Sequence, residues 1–491
     1  MKKLCLFSLL CLPFLLLNLQ AQSNIYSQSI NQPALNLRGG AITLGSVNAT
    51  FPSDGYVVVH FDGECYASVG DLIVVAASNN GDWQSNDGNI SIETSKAGFG
   101  RPFSHTRVYP VTAGAHTYAA VAQNYVETDG NGIASIYGTL TVEYFPEGGT
   151  STVKASGFIF NGNVTNTTVV GQQTIHANAA GKMLVRFDGF ITSDPGDRIV
   201  LAASNTMNWS FNDGNVAVEA VNEGDVDENS FSHTRVYNVP SAGDYTYYAL
   251  AQQYGEAGGN GNIWAYGNLL VEFYPTTGPE KILSSGFTLP TIDLNGNSTT
   301  LTSLSLTAPE AGKVMVTLDG YLTANEGYDI VLAASNNGDW TAADGNITLQ
   351  ALDNDQNRYS FSHTRVYTIN AGVNTFYGVG QIFGGSGSET ADLFGQLTVK
   401  YFPASATATN EITATKNTFD LYPNPAKDEI HLSFKNSGDP VKDIQLLDLN
   451  GHTLKEFRDN GKEEMNIDIS TFPVNVYWVK VGESVKRVVK M

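Results

Sequence analysis

Short runs of alternating apolar and polar residues recur along the chain. Val57, Val59 and Phe61 fall on one side of such a run, which is the period of a strand with one buried face. Residues 117–125 are apolar enough on both sides to predict a strand buried within a stack. Runs of this kind, separated by turn residues every ~8–12 positions, are typical of an all-β sandwich. Each unit is predicted to hold seven or eight strands.

An internal repeat divides the chain. The segment Phe-Ser-His-Thr-Arg-Val-Tyr occurs at 103–109, 231–237 and 361–367, and such a period indicates tandem domains. Around it recur an Asp-Gly pair, an Ala-Ala-Ser-Asn segment, a tryptophan and an Asp-Gly-Asn turn, in the same order each time. The repeats are predicted at 33–146, 156–275 and 285–403, with a linker at 404–416 and a last domain at 417–491. Their nine-residue linkers reach about 30 Å, which leaves both a compact pseudo-trimer and beads on a string open.

The end of each repeat resembles a known fold family. Tyr137-Gly138, Tyr266-Gly267 and Phe394-Gly395, with their flanking strands, are similar to the jelly-roll head shared by complement-type and tumour-necrosis-factor-like proteins. The resemblance covers about a third of each repeat. It implies non-catalytic domains that form trimers and bind proteins or glycans.

The N-terminus is typical of a secretory signal peptide. Lys2 and Lys3 precede an apolar run that ends near Ala21, and this order predicts cleavage after residue 21. The run is shorter than the ~20 apolar residues that span a bilayer, so no transmembrane span is expected. Cleavage leaves Cys65 as the single cysteine, interpreted as a small buried apolar residue.

The last 75 residues carry a second resemblance. They open with Tyr422, Pro423, Asn424 and Pro425, continue through strand-like segments, and end in Arg487-Val-Val-Lys-Met. This segment resembles the C-terminal sorting domain of type IX secretion cargo. The resemblance implies a protein secreted to the medium or the outer cell surface, recognition by the type IX machinery, and a source in the Bacteroidetes.

Charge restricts the class of partner. The net charge is −21, and residues 22–409 hold 14 Lys and Arg against 35 Asp and Glu. Nucleic acids need basic patches, so they are not expected as partners. Two Asp-x-Asp-x-Asn segments, at 225–229 and 353–357, have calcium-like spacing. Neither has the Gly and later Glu of an EF-hand loop, so no cofactor is predicted and calcium is the weaker alternative.

The tryptophan loops are the predicted ligand sites. A tryptophan flanked by amides and carboxylates can stack on a sugar ring while its neighbours bind hydroxyls. The favoured alternative, from how often tryptophan is buried, is a side chain that folds inward and plugs the end of the sandwich. The predicted residues are Trp83, Asp87, Asn89, Trp209, Asp213, Asn215, Trp340, Asp344 and Asn346.

The repeated histidine and arginine are two residues apart and therefore share one face of a strand. Such a pair could bind a carboxylate, but the favoured interpretation is structural, with each arginine held by Asp62, Asp188 or Asp319 or buried between repeats. The set comprises His105, Arg107, His233, Arg235, His363 and Arg365.

The sequence contains no His-Glu-x-x-His, no Gly-x-Ser-x-Gly, no phosphate-binding loop and no paired Cys-x-x-Cys. The expectation is a multivalent, non-enzymatic binding or adhesion protein that recognises an extracellular glycan or protein. A self-associating component of the cell surface or matrix is the alternative, and a secreted hydrolase is the third.

Overall fold

A computed structural model describes residues 23–83, 89–93, 100–127, 130–194, 196–209, 215–219, 227–254, 259–324, 328–340, 346–350, 358–383, 390–404 and, in the tail, 419–422, 426–434, 443–447, 453–458, 464–473, 476–481 and 484–490. The regular elements of these residues are β-strands. None of the described segments forms a helix long and apolar enough to cross a membrane.

Eight strands build each repeat. Those of repeat 1 are β1 (Asn24–Asn36), β2 (Ile42–Phe51), β3 (Gly55–Ala67), β4 (Asp71–Ser78), β5 (Ile90–Glu93), β6 (Arg101–Val111), β7 (Gly114–Glu127) and β8 (Ile133–Pro146). Those of repeat 2 are β9 (Thr152–Asn163), β10 (Thr168–Ala177), β11 (Gly181–Ser193), β12 (Arg198–Ser204), β13 (Val216–Glu219), β14 (Asp227–Val239), β15 (Gly243–Gln253) and β16 (Asn262–Pro275). Those of repeat 3 are β17 (Lys281–Asp293), β18 (Thr299–Ala308), β19 (Gly312–Ala324), β20 (Asp329–Ser335), β21 (Ile347–Gln350), β22 (Arg358–Ile369), β23 (Gly372–Phe383) and β24 (Thr390–Pro403).

Strand order identifies the fold of each repeat. In repeat 1 the antiparallel sheets run β1-β8-β3-β6 and β2-β7-β4-β5, and repeats 2 and 3 follow the same order. Two four-stranded sheets in this order form a jelly roll, which confirms the predicted fold class. The first sheet is here named the inner sheet because it faces the other repeats, and the second is named the outer sheet. The first strands begin at residues 24, 152 and 281, earlier than the predicted boundaries at 33, 156 and 285.

The repeated Asp-Gly and aromatic-Gly dipeptides meet across two inner strands. Gly63 pairs with Gly138, and Gly189 pairs with Gly267. A Cβ atom built on Gly267 would lie 2.0 Å from the carbonyl oxygen of Asp188. The backbones approach so closely here that neither strand tolerates a side chain.

Replacing Gly267 with alanine is therefore expected to destabilise repeat 2 by about 2–3 kcal/mol, the usual cost of overpacking. The matched control is Gly40→Ala, because a Cβ at that exposed position meets no atom within 4 Å and its φ is not positive. Thermal unfolding of both variants measures the difference. Equal melting temperatures would contradict the close approach.

The three repeats pack into one compact unit, Met1–Thr407, and the tail forms a second, Ala408–Met491. Ile25 of repeat 1 packs with Met315 and Phe402 of repeat 3. A second apolar cluster joins Val58 and Phe145 of repeat 1 to repeats 2 and 3. The ring is closed, because the Lys313 ammonium donates to the carbonyl of Ile25 at 3.3 Å. The pseudo-trimer is thus the arrangement adopted, and beads on a string is wrong.

Polar side chains fill the centre of the ring. Equivalent positions hold Asp62, Asp188 and Asp319, and each accepts a hydrogen bond from the preceding repeat, with repeat 3 preceding repeat 1 around the ring. The hydroxyl of Ser362 donates to Asp62 Oδ2 at 3.0 Å, that of Thr106 donates to Asp188, and the backbone N–H of Thr234 donates to Asp319 Oδ2 at 2.7 Å. This cyclic pattern marks a pseudo-threefold axis.

The charges on this axis differ from repeat to repeat. Where repeats 1 and 2 carry Glu143 and Glu272, repeat 3 carries Lys400. The Lys400 ammonium lies 2.5 Å from Glu143 Oε2 and 3.1 Å from Glu272 Oε2, with all three side chains at most 2% exposed. A second set of equivalent positions holds His60, Arg186 and Thr317. One chain therefore supplies three different parts of a single centre.

Burial changes the ionisation of these groups. It raises the pKa of Asp188 and of Asp319 to about 7, against the nearby Arg186 guanidinium, which favours the ionised form. Burial likewise raises the pKa of Glu143 to about 7, against the attraction of Lys400. His60 responds in the opposite direction, because burial and then Arg186 lower its pKa to about 4.

The tail is a small β-sandwich. One sheet runs β25-β26-β29 and the other β28-β27-β30-β31. Its strands are β25 (Phe419–Tyr422), β26 (Glu429–Phe434), β27 (Asp443–Leu447), β28 (Thr453–Arg458), β29 (Glu464–Asp468), β30 (Val476–Val481) and β31 (Ser484–Val489).

Candidate functional site

Trp83 lies on the outer face of the outer sheet of repeat 1. It packs on Ala76, Ala119 and Val121, which point away from the sandwich core. Its indole N–H donates to Gln123 Oε1 at 2.5 Å. Tyr125 contacts it edge to face, with ring centroids 5.2 Å apart at 80°, and is 57% exposed. The two rings form an aromatic pair fixed in orientation and open to solvent along the tyrosine.

Repeat 2 reproduces this arrangement, and repeat 3 reproduces its indole hydrogen bond. The Trp209 indole donates to Gln252 Oε1 at 2.5 Å, and the Trp340 indole donates to Gln381 Oε1 at the same distance. Tyr254 meets Trp209 at 5.8 Å and 83° and is 39% exposed. The favoured interpretation, an inward tryptophan that plugs the sandwich end, is wrong for Trp83, because its indole packs on the outer face.

A serine shapes the turn that delivers each tryptophan. Ser78 Oγ accepts the N–H of Gly81 at 3.1 Å and donates to the carbonyl of Asp82 at 2.5 Å. Gly81 has φ +80°, which glycine adopts at low cost. Ser335 and Ser204 bond the matching turns in the other repeats. The Ala-Ala-Ser-Asn landmark is therefore a turn that sets the position of the tryptophan.

The other predicted ligand residues differ in burial, and some of them lie outside the described residues. Asn215 is buried, and Asn89 and Asn346 are half-buried. Asn89 lies with Trp83, His105 and Arg107 around a cleft of about 10 Å³, room for about one water molecule. Asp87, Asp213 and Asp344 lie outside the described residues, as do Asp225, Asp353, Asp355 and Asn357 of the calcium-like segments. Within the described part of the chain, no group of three His, Cys, Asp or Glu side chains is arranged to hold a metal ion.

The repeated histidines tie the two sheets of each sandwich together. His105 Nδ1 accepts the N–H of Ala77 at 2.9 Å, and the Tyr109 hydroxyl donates to the carbonyl of the same alanine at 3.1 Å. His233 and His363 make the same bond to Ala203 and Ala334 at 2.8 and 2.9 Å. Because Nδ1 is the acceptor, the proton of the neutral ring lies on Nε2.

The repeated arginines contact other partners than the aspartates that the sequence interpretation suggested. Arg107 lies 5.5 Å from the centre of the Tyr109 ring, and Arg235 and Arg365 lie 5.8 Å from the rings of Tyr237 and Tyr367. The suggested partners Asp62, Asp188 and Asp319 point to the axis instead. Arg107 pairs across the sheet with Val59, whose side chain is on the opposite face from Asp62.

Two long grooves run between repeats. The first lies between repeats 1 and 2 and has a volume of about 670 Å³; Arg107, Lys154 and Asn268 contribute to its walls. The second lies between repeats 2 and 3 and has a volume of about 750 Å³. Arg235 and Gln396 occupy in it the positions that Arg107 and Asn268 occupy in the first. Volumes of this size are typical of ligand pockets.

Sequence reasoning missed the tyrosine and glutamine of each aromatic pair, as well as the grooves. A repeated Gln-x-aromatic signal was present at Gln123-x-Tyr125, Gln252-x-Tyr254 and Gln381-x-Phe383. It was not recognised because these residues belong to a strand that is otherwise apolar on both sides. The groove walls come from two repeats each, and their lining varies between them.

The fold and the tail together define a class: a single-chain trimer of jelly rolls carrying a sorting domain. Residues 420–491 match the secretion system C-terminal sorting domain family, and Tyr422 of the predicted motif is exposed at the end of β25. The protein is a type IX secretion cargo, exported to the extracellular space or the outer cell surface. Pro423, Asn424, Pro425 and the predicted cleavage residue Ala21 lie outside the described residues.

No curated protein matches the chain. Among solved structures, the plant receptor-like kinase FER is 10% identical, with 53% of this chain and 90% of that chain covered and a TM-score of 0.18. The VP2 subviral particle of infectious bursal disease virus is 9% identical, with 78% and 79% covered and a TM-score of 0.19. Similarity at this level says nothing about function.

Proposed function

We propose that the protein is a non-enzymatic, multivalent binding protein that recognises glycans outside the cell through its outer-face aromatic pairs. The observation that carries the proposal is the orientation of Trp83 against the exposed Tyr125, repeated by Trp209 and Tyr254. Rigid aromatic rings with one open side offer contact area at little cost in conformational entropy. The glutamine that holds each indole places an amide beside the rings.

The closed ring supports multivalency. The two pairs, Trp83–Tyr125 and Trp209–Tyr254, belong to different repeats of one packed unit, so they are presented at fixed positions around one body. A weak site repeated in this way gains avidity when a ligand engages two sites at once. Export by the sorting tail delivers such a body to extracellular polysaccharide.

The test replaces Tyr125 and Tyr254 with alanine in the full chain. Both are exposed, so the melting temperature is expected to stay unchanged, while binding to polysaccharides of a panel falls about tenfold or more, from two lost aromatic contacts. Glycan microarray and biolayer measurements on both proteins give the result.

Trp264→Ala is the matched control, because Trp264 is a 44% exposed aromatic residue outside the pairs. Glycan binding that survives in the tyrosine variant, or that is lost in the control instead, would remove the pairs as the site. Concentration-dependent self-association without glycan binding would favour the alternative of a structural surface component.

A further inference from the structure

The charge of the two inter-repeat grooves is opposite to that of the unit that contains them. Residues 22–409 hold 35 acids and 14 cations. The two grooves nevertheless contain four of those cations and a single acid in their described walls: Arg107, Lys154, Arg235, Arg358 and Asp392. With acids 2.5 times as frequent as cations, this composition is the reverse of what a random sample of the unit would give.

In the second groove, Arg358 shares its carboxylate partner with a neighbouring arginine. Arg358 Nη1 lies 3.3 Å from Glu219 Oε2, but Arg198 Nε lies 3.1 Å from the same oxygen. One carboxylate thus serves two guanidinium groups. Burial, and after it the neighbouring Arg198, lowers the pKa of Arg358, against the attraction of Glu219. The one acid of the wall, Asp392, already accepts the N–H of Thr291 at 2.7 Å.

In the first groove the cations are Arg107, held over the Tyr109 ring, and Lys154, an exposed side chain on β9. Amide side chains accompany them: Gln173 and Asn268 in this groove, Asn215 and Gln396 in the second. Guanidinium and ammonium groups bind carboxylates, and amides bind hydroxyls. Carboxylates and hydroxyls alternate along a uronic acid chain.

We infer that the two inter-repeat grooves are binding sites for a carboxylate-bearing polysaccharide. Arg107 with Lys154, and Arg235 with Arg358, bind the carboxylates, and the amides bind the hydroxyls between them. That the ligand is a glycan rests on the function proposed above; that it is an acidic one, and where it binds, rest on the grooves. These sites are separate from the aromatic pairs.

The experiment titrates the full chain with alginate oligomers, with neutral maltohexaose and with poly-glutamate. Wild-type protein is expected to bind alginate in preference to both, and more weakly at high salt because the pairs are partly exposed. The double variant Lys154→Gln/Arg235→Gln is expected to bind alginate about three to ten times more weakly, the usual range for partly exposed charge pairs. Lys154→Glu alone, at an exposed site, is a second variant that does not threaten the fold.

Arg38→Gln is the matched control, because it removes an exposed cation outside both groove walls and should leave alginate binding unchanged. The inference is overturned if alginate binds no better than maltohexaose, if poly-glutamate binds as tightly as alginate, or if the groove variants bind alginate like the wild type.

The variant Tyr125→Ala/Tyr254→Ala separates the two proposals. If it loses neutral-glycan binding while the groove variants bind like the wild type, only the grooves are rejected. Loss of alginate binding in the groove variants, with neutral-glycan binding of the tyrosine variant equal to that of the wild type, rejects only the aromatic pairs.

Discussion

Lys400→Glu is expected to unfold the jelly-roll unit under conditions in which the wild-type protein is stable. Lys400 is the only counterion that touches both Glu143 and Glu272 among the described contacts of this buried centre. Removing one partner of a buried ion pair costs about 3–5 kcal/mol, and the substitution adds a third carboxylate. That is a large part of the ~5–15 kcal/mol that stabilises a typical domain.

The pseudo-threefold axis supplies a rescue. Positions 143, 272 and 400 are equivalent on β8, β16 and β24, so Glu143→Lys/Lys400→Glu again gives one lysine and two glutamates. The double variant is expected to recover most of the melting temperature that the single variant loses, as measured by calorimetry. Lys154→Glu, a charge reversal at an exposed lysine, controls for net charge. A double variant no more stable than Lys400→Glu would show that the three positions do not share a centre.

Raising the pH from about 5 to about 8 is expected to lower the melting temperature of the unit, on the order of 5 °C. The pKa values of Asp188, Asp319 and Glu143 are raised by burial to about 7. Between about pH 4 and pH 7 the folded state therefore holds protons that the unfolded chain has released, and this stabilisation is lost as pH rises.

His60 opposes this trend in part. Its pKa is lowered to about 4, so stability from this group rises as pH increases from about 4 to 6.5. Because three acids lose stabilisation as the pH rises and one histidine gains it, the net stability of the unit falls. Glu64, which accepts the N–H of Thr348 at 2.5 Å across the contact between repeats 1 and 3, adds to it, because burial raises its pKa to about 7.

Calorimetry of Asp188→Asn/Asp319→Asn tests the assignment. Asparagine imitates the protonated acid, so the variant should show a flatter dependence of melting temperature on pH than the wild type. Asp82→Asn, an exposed acid in the Trp83 turn, should keep the wild-type slope. A slope unchanged in the axial variant, or a wild-type protein that is more stable at pH 8, would contradict the raised pKa values.

The sequence allowed the jelly rolls and the sorting tail to be predicted because each leaves a local signal. Strand alternation and repeated landmarks depend on neighbours in the chain, and the tail motif is contiguous. The first strand of each repeat was partly missed, since Asn24–Asn36 carries many polar residues. Its few apolar side chains are divided between two clusters, because Ile25 packs on repeat 3 whereas Ile30 packs in the core of repeat 1.

The axis and the grooves could not be predicted in the same way. A search for repeats selects positions that stay the same, whereas the axis is built from positions that differ, such as His60, Arg186 and Thr317. The tryptophans were ambiguous because strands β4 and β7 carry small apolar residues on both faces. The indole could have packed on either face, and in the structure Trp83 packs on Ala76 and Ala119 of the outer face.

The most direct test of the account is the number of oligosaccharides that one chain binds. Titration calorimetry of the full chain with a short, soluble oligosaccharide chosen from the panel is expected to give at least two equivalent sites, one for each of the pairs Trp83–Tyr125 and Trp209–Tyr254. Tyr125→Ala should remove one of them and leave the melting temperature unchanged. A single site that is insensitive to both tyrosines, or no binding at all, would contradict the proposal that this folded trimer is a multivalent glycan-binding protein.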